Sequence, residues 1–171
     1  MLIEAYQAEW VENFKEIEFE IQCALGEFEY GIEHVGSTAV PGLASKPIID
    51  IDIIYQTDSE FERIKSSLLE IGYYHNGNQG IKNREVFKRN GMSKNVILDK
   101  IKHHLYVCLS GTEALNRHIL FRDYLRKSES AKLEYQMMKY KLAEVANQNK
   151  KVYAGLKEVS VNDFIDSIIE K

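Results

Sequence analysis

Cysteine and proline are scarce in this 171-residue chain, which has two of each. Cys23 and Cys108 lack the paired spacing of a zinc site or a disulfide framework, so a reducing compartment and two buried, inert thiols are expected. An excess of basic residues is missing as well. With 22 Lys plus Arg against 26 Asp plus Glu, the formal net charge is -4. That balance argues against nucleic acid or an anionic membrane as a bulk electrostatic partner and leaves room for a local basic pocket. No stretch approaches the roughly 18 apolar residues of a membrane span, and the opening MLIEAYQAEW lacks the basic-then-apolar order of a signal segment. A cytoplasmic protein is therefore expected. Repeats, low-complexity tracts and linkers rich in Pro, Ser or Gly are absent, so residues 1–171 read as one domain whose 44% hydrophobic content is enough to fill a core. No GKS or GKT follows a glycine at Walker spacing, and no G-x-G-x-x-G occurs, which disfavours a P-loop kinase or a dinucleotide-dependent dehydrogenase.

What is present is a helical stripe, then strands, then helices. Trp10, Phe14, Ile17, Ile21 and Leu25 recur at helical intervals up to Gly26. Residues 28–35 read as a short strand ending at Gly36, and residues 37–46 as a loop interrupted by Pro41, Gly42 and Pro47. Residues 48–54 read as a strand with Ile49, Ile51 and Ile53 on one side and Asp50 and Asp52 on the other. Thr57 or Asp58 caps a helix through Phe61, Ile64, Leu68 and Ile71 that ends at Gly72. From Tyr73 to Ile101 short antiparallel strands are expected around 84–89 and 95–98. KHHLYVCL at 102–109 is a clearer strand, with His104, Tyr106 and Cys108 on one face. Helices follow to the end: one through Leu115, Ile119, Arg122 and Leu125, another through Ala131, Tyr135, Met138, Leu142 and Val145. A short last helix is expected to open at a Ser160–Asp163 capping box.

The densest chemistry lies in HVGSTAVPGLASKPIIDIDII, residues 34–54. Two carboxylates at i and i+2 of a strand point the same way, so Asp50 and Asp52 can share a hard cation such as Mg2+, whose octahedral shell is completed by water and phosphate oxygens. The preceding loop suits that polyanion. Gly36 permits close backbone approach, Ser37 and Thr38 offer hydroxyls, and Lys46 adds a positive charge. The plainer alternative is a solvated acidic strand face behind an ordinary turn. His104 and Tyr106 lie on the neighbouring strand. His104 is a candidate base or metal ligand, against a purely hydrogen-bonded structural role. Arg84, with Lys88 and Arg89, is a candidate for meeting phosphate or an acidic acceptor, against a solvated strand edge. Arg122 and Arg126 suit an anion or a surface acid.

On these residues the chain resembles the GrpB family, which is similar to the nucleotidyltransferase superfamily with the DNA polymerase beta fold. HHLYVCL at 103–109, NRHILFRDYLR at 116–126, and Tyr153 with Lys157 resemble later blocks of the same family, so the resemblance spans nearly the whole chain. It implies an α+β fold: a nucleotidyltransferase-like mixed sheet with helices packed on it and further helices at the C-terminus. It also implies that Gly36 and Ser37 correspond to a triphosphate-binding GS pair, and Asp50 and Asp52 to ligands of Mg2+. The expected function is Mg-dependent nucleotidyl transfer or nucleoside-triphosphate binding. Asp50, Asp52 and His104 are the catalytic candidates, and Gly36, Ser37, Thr38, Lys46, Arg84 and Tyr106 the substrate-binding ones. The superfamily's third carboxylate, on the later strand, is missing here, where His104 and Tyr106 stand instead. That departure keeps a second reading open, a non-catalytic module for a nucleotide or related phosphate ligand. GrpB-like domains resemble an extension fused to dephospho-coenzyme A kinases, which makes an accessory role in coenzyme A metabolism one form of it.

Overall fold

A computed structural model describes residues 2–91 and 94–169. Strands β1 (Gly31–Val35), β2 (Ile49–Tyr55), β3 (Tyr73–His75), β4 (Arg84–Arg89) and β5 (His103–Leu109) form one mixed sheet in the order β1-β2-β5-β4-β3. β2 runs antiparallel to β1 and parallel to β5, with Asp50 beside His104 and Asp52 beside Tyr106. Helices α1 (Glu9–Leu25), α2 (Asp58–Glu70) and α3 (Val96–Lys100) cover one face. There Ile49, Ile51 and Ile53 pack with Ile17, Ile21, Ile64, Leu68, Leu105 and Val107. Each such isoleucine contributes about 1.5–3 kcal/mol by leaving water. A one-residue slip of β2 would put both aspartates into this core, so the apolar alternation itself sets the register.

Of the two expected caps of α2, Thr57 is the one the helix uses. Its side chain accepts the Glu60 N–H while the Glu60 carboxylate accepts from Thr57 N–H. Two other expectations are corrected. Residues 96–100 are helical instead of extended, because the Asn95 side chain accepts the Leu98 N–H and starts a turn that buries Leu98. The final helix does not open at Ser160. The Asn149 side chain accepts the N–H groups of Lys151 and Val152, so the helix begins at Lys150 and Ser160 lies in its interior.

Helices α4 (Glu113–Lys127), α5 (Glu129–Val145) and α6 (Lys150–Ile169) stand on the other side of the sheet. They build two smaller cores of their own. One joins Leu2, Ile3 and Ala44 to Ala143, Ala146 and Tyr153; the other joins Val40 and Leu43 to Leu125, Ala131, Tyr135 and Val161. The loop between β1 and β2 is therefore anchored to the later helices, and a Glu4–Ser45 backbone bridge fastens it to the first residues. Cys108 is buried as expected, whereas Cys23 is exposed on the solvent side of α1. Among the described residues, no helix is long and apolar enough to cross a membrane.

Candidate functional site

Between the sheet and α6 lies a cleft of two adjoining lobes, of about 400 and 320 Å3, which share Ser37, Asp50, Tyr106, Lys157 and Asn162 along their common edge. Its floor is the polar face of β2 and β5. Asp50 accepts a hydrogen bond from His104 Nδ1 at 2.8 Å, and Asp52 accepts one from His118 Nδ1, also at 2.8 Å. Each carboxylate thus orients one imidazole and retains one oxygen. Asp52 is fully buried, and its Oδ1 has no hydrogen-bond partner among the described residues. An isolated buried carboxylate oxygen is expensive, about 1–3 kcal/mol or more, and calls for a cation or a bound donor.

The loop reaches this floor through Gly36. Its φ is +72° with extended ψ, and a Cβ there would stand 2.3 Å from Asp50 Oδ2. Only glycine combines that backbone with that proximity. Ser37–Ala39 then form a single 3-10 turn. Ser37 lines both lobes, but Thr38 does not reach either. Its buried hydroxyl donates to the Ile48 carbonyl at 3.3 Å and so accepts from His34 Nε2 at 3.0 Å. This fixes the proton of neutral His34 on Nε2. Burial pushes His34 down to about 4, with Arg126 and Arg122 adding to the depression and Asp50 opposing it. The ring also stacks on Phe14 at 4.7 Å. Thr38, expected among the ligand-binding residues, is engaged inside the fold because its hydroxyl ties the loop to β1.

The larger lobe is walled by lysines from three elements. Lys46 lies 4.3 Å from the Tyr153 ring centre, and burial followed by Lys157 and Lys150 lowers its pKa. Lys157 is held above the ordinary lysine range by the Tyr135 phenol and the Asp50 carboxylate, against the effect of burial. Lys139 is only 1% exposed; its Nζ donates to the Ala44 carbonyl and sits 4.7 Å from the Tyr135 ring centre. Burial, with Lys157 second, brings Lys139 down to about 6. Tyr106 is half-buried, and desolvation followed by the Asp50 charge pushes its phenol up to about 12. Arg84 lies over its ring, 4.7 Å from the centroid, and lines the smaller lobe.

The structure therefore brings Asp50, His104, Tyr106, Ser37 and Lys46 to the larger lobe and Gly36 and Arg84 to the smaller one. Asp52 lies beneath, reaching the cleft through His118. Lys139 and His118 were not among the expected site residues, yet a signal for both exists. The buried positions of α5 are Ala131, Tyr135, Lys139 and Ala143, so a lysine occupies a core position four residues from its neighbours. His118 stands between the buried Leu115 and Arg122 of α4. Arg122 faces inward as a brace, and the exposed Arg126 reaches back to the loop. Arg122 bonds Glu33, the His34 carbonyl and Asp123, and Arg126 bonds the Ala39 carbonyl.

Among the described residues no three His, Cys, Asp or Glu side chains form a metal cluster. The orphaned oxygen of Asp52, two residues along the same face of β2 from Asp50, nevertheless suits an ion that takes two protein carboxylates and draws its remaining ligands from water and phosphate, which is the habit of magnesium.

Comparison with known proteins agrees with this architecture. The solved structure of the conserved protein GrpB from Enterococcus faecalis superposes with a TM-score of 0.79 at 27% identity, covering 98% of this chain and 97% of that one. The Cid1 poly(U) polymerase in its MgGTP-bound structure shares the fold, with a TM-score of 0.58 at 14% identity over 83% of this chain and 44% of its own. UPF0157 protein YqkA of Bacillus subtilis is 33% identical over 138 residues, 81% of this chain, but this chain spans only 38% of YqkA. A sequence model described as GrpB protein matches residues 1–171, and the chain belongs to the GrpB family.

Proposed function

We propose that the cleft binds a nucleoside triphosphate together with Mg2+ and supports nucleotidyl transfer. One observation carries this reading: the Asp50 carboxylate, with the buried Asp52 beneath it, and a wall of lysines meet in one cleft beside the close-packed Gly36 of the loop. Ser37, Lys46 and Lys157 bind and orient phosphate oxygens in the larger lobe. Asp50 stands at the edge shared with the smaller lobe, which puts the α-phosphate of such a ligand at the junction. His104 and His118 hold the two carboxylates in place by Nδ1 donation and leave each Nε2 as the free ring nitrogen. A bound Mg2+ would supply Lewis-acid stabilisation of charge on the phosphates and the pyrophosphate leaving group. That Cid1 is described with MgGTP bound accords with this reading, at the level of a shared fold.

Tyr106 favours a second reading. With His104 it is one of the two β5 residues standing where the resemblance expects a third carboxylate; it lies beside Asp52, and its phenol is held protonated. On that reading the cleft retains a phosphate ligand without turning it over, as an accessory module to nucleotide or coenzyme A metabolism would.

Calorimetric titration with ATP, GTP, CTP and UTP, with and without Mg2+, tests the site. Magnesium-dependent binding is expected for at least one nucleotide and is expected to disappear in an Asp50→Asn, Asp52→Asn double variant. Binding of none of the four by the folded wild-type protein would sink both nucleotide readings. Release of labelled pyrophosphate in the presence of a metabolite pool then separates the two, since tight binding without release selects the non-catalytic module.

A further inference from the structure

The smaller lobe differs in character from the lysine-walled one. Ile81, Ala114, Phe121 and Ile165 give it apolar and aromatic sides, and Arg84 is a cation of this lobe with no carboxylate in ion-pair reach among the described residues; Lys157, on the edge shared with the larger lobe, is the other. Arg117, which also lines this lobe, is paired with Asp166, and His118 is bonded to Asp52. Arg84 is half-buried, its guanidinium lies over the Tyr106 ring, and its Nε is buried with no hydrogen-bond partner among the described residues. A guanidinium held by stacking, with a buried N–H unsatisfied, is half of a fork that a planar oxyanion completes. An apolar pocket with one such group is the usual form of a site for an organic anion.

We propose that the smaller lobe is the acceptor pocket, and that it takes a molecule with an apolar or aromatic body and one oxyanion, carboxylate or phosphate, seated on Arg84. This rests on the reading of the larger lobe as the nucleoside-triphosphate site, and it names the second substrate of that site. It also accounts for the missing third acid. An oxyanion acceptor is already deprotonated at neutral pH, so no general base is required. One of its oxygens attacks the α-phosphorus and forms a new P–O bond as the bridging α–β P–O bond breaks. The bond pair leaves on pyrophosphate, and no proton is transferred. A carboxylate acceptor yields a mixed anhydride, and a phosphate acceptor yields a phosphoanhydride. Tyr106, protonated and next to Asp50, replaces a carboxylate whose charge would repel such an acceptor.

The test is ligand-observed NMR titration of the full chain with phenyl phosphate, phenylacetate and benzyl alcohol, on wild type and Arg84→Gln, with MgATP titrated separately on both. At least one of the two anions is expected to bind wild type at millimolar concentration and more tightly than benzyl alcohol, and which of them does so identifies the anion class. Arg84→Gln is expected to weaken that anion by about tenfold or more, the usual effect of losing a charge-assisted pair, and to leave MgATP binding unchanged. Equal binding of benzyl alcohol and the anions, equal anion binding by Arg84→Gln, or displacement of the anion by MgATP would each overturn the proposal. So would binding of neither anion. Loss of MgATP binding in the Asp50→Asn, Asp52→Asn variant with anion binding intact reports on the larger lobe alone, so failure of one reading is distinguishable from failure of the other.

Discussion

Lys139→Met offers a quantitative test of how the cleft wall is built. Lys139 is 1% exposed, and burial brings its pKa from 10.5 to about 6, so near neutral pH it enters the fold as an amine after releasing a proton. The unfolded chain binds that proton up to the ordinary lysine range, whereas the folded chain binds it only below the depressed value. Stability due to this residue is therefore greatest at alkaline pH and falls as pH drops from about 10.5 towards about 6. A full proton of difference gives about 1.4 kcal/mol per pH unit, or roughly 3 kcal/mol lost between about pH 9 and about pH 7. Methionine has a similar length and no charge to desolvate. It forfeits the hydrogen bond to the Ala44 carbonyl, at a cost of about 1–3 kcal/mol, and removes the larger protonation penalty. Urea unfolding of both proteins across that pH range is the assay. The variant is expected to be the more stable at neutral pH, with an advantage that shrinks steadily as pH rises. Parallel pH profiles for the two proteins would refute the assignment of Lys139 as a neutral amine. A polyanion in the larger lobe should in turn favour the ammonium form, so MgATP binding near neutral pH is expected to take up protons, seen as a dependence of calorimetric heat on buffer ionisation enthalpy.

Gly36→Ala should place a methyl against Asp50 Oδ2 on a backbone that L-residues avoid. A loss of roughly 1–3 kcal/mol is expected by thermal or urea unfolding, with nucleotide binding reduced because Asp50 must rotate away; an unchanged melting curve would contradict the packing described. Arg122→Gln should cost more than Arg117→Gln. Arg122 is 8% exposed and braces α4 against Glu33 and the His34 carbonyl, whereas Arg117 pairs with a half-exposed Asp166. About 1–3 kcal/mol against less than about 1 kcal/mol is the expected contrast in unfolding free energy.

The strands were legible where composition and period agreed. Ile49, Ile51 and Ile53 alternate with Asp50 and Asp52 so strictly that face and register follow from the pattern alone. The start of α2 was legible to within a residue, as Thr57 or Asp58, because local hydrogen bonding decides it, and the Glu60 carboxylate settles it on Thr57. Residues 95–98 misled because Val96, Ile97 and Leu98 favour a strand by composition, and one capping side chain, Asn95, outweighs that preference. The start of α6 was obscured by the Ser160–Asp163 pattern, which imitates a cap within a helix already begun at Asn149. The site was legible as far as the loop and the acid pair. The rest was hidden because it depends on tertiary distance. Lys139 and Lys157 are brought to residues 37–50 only by the docking of α5 and α6, and Thr38 turns inward only because Ile48 and His34 provide partners there.

The cleft lies along a seam between separately filled cores. The sheet with α1, α2 and α3 buries its own apolar cluster, while α5 and α6 close theirs against the β1–β2 loop and the first residues of the chain. Ser37 and Lys157 become neighbours only after nearly the whole intervening chain has been arranged, so the cleft walls are the part of the molecule with the longest loops to close. A chain in which the sheet has formed and the last helix has not docked would show native strand signals and no pocket. The cleft is thus a gauge of the seam, and it can be lost or recovered while the sheet stays intact.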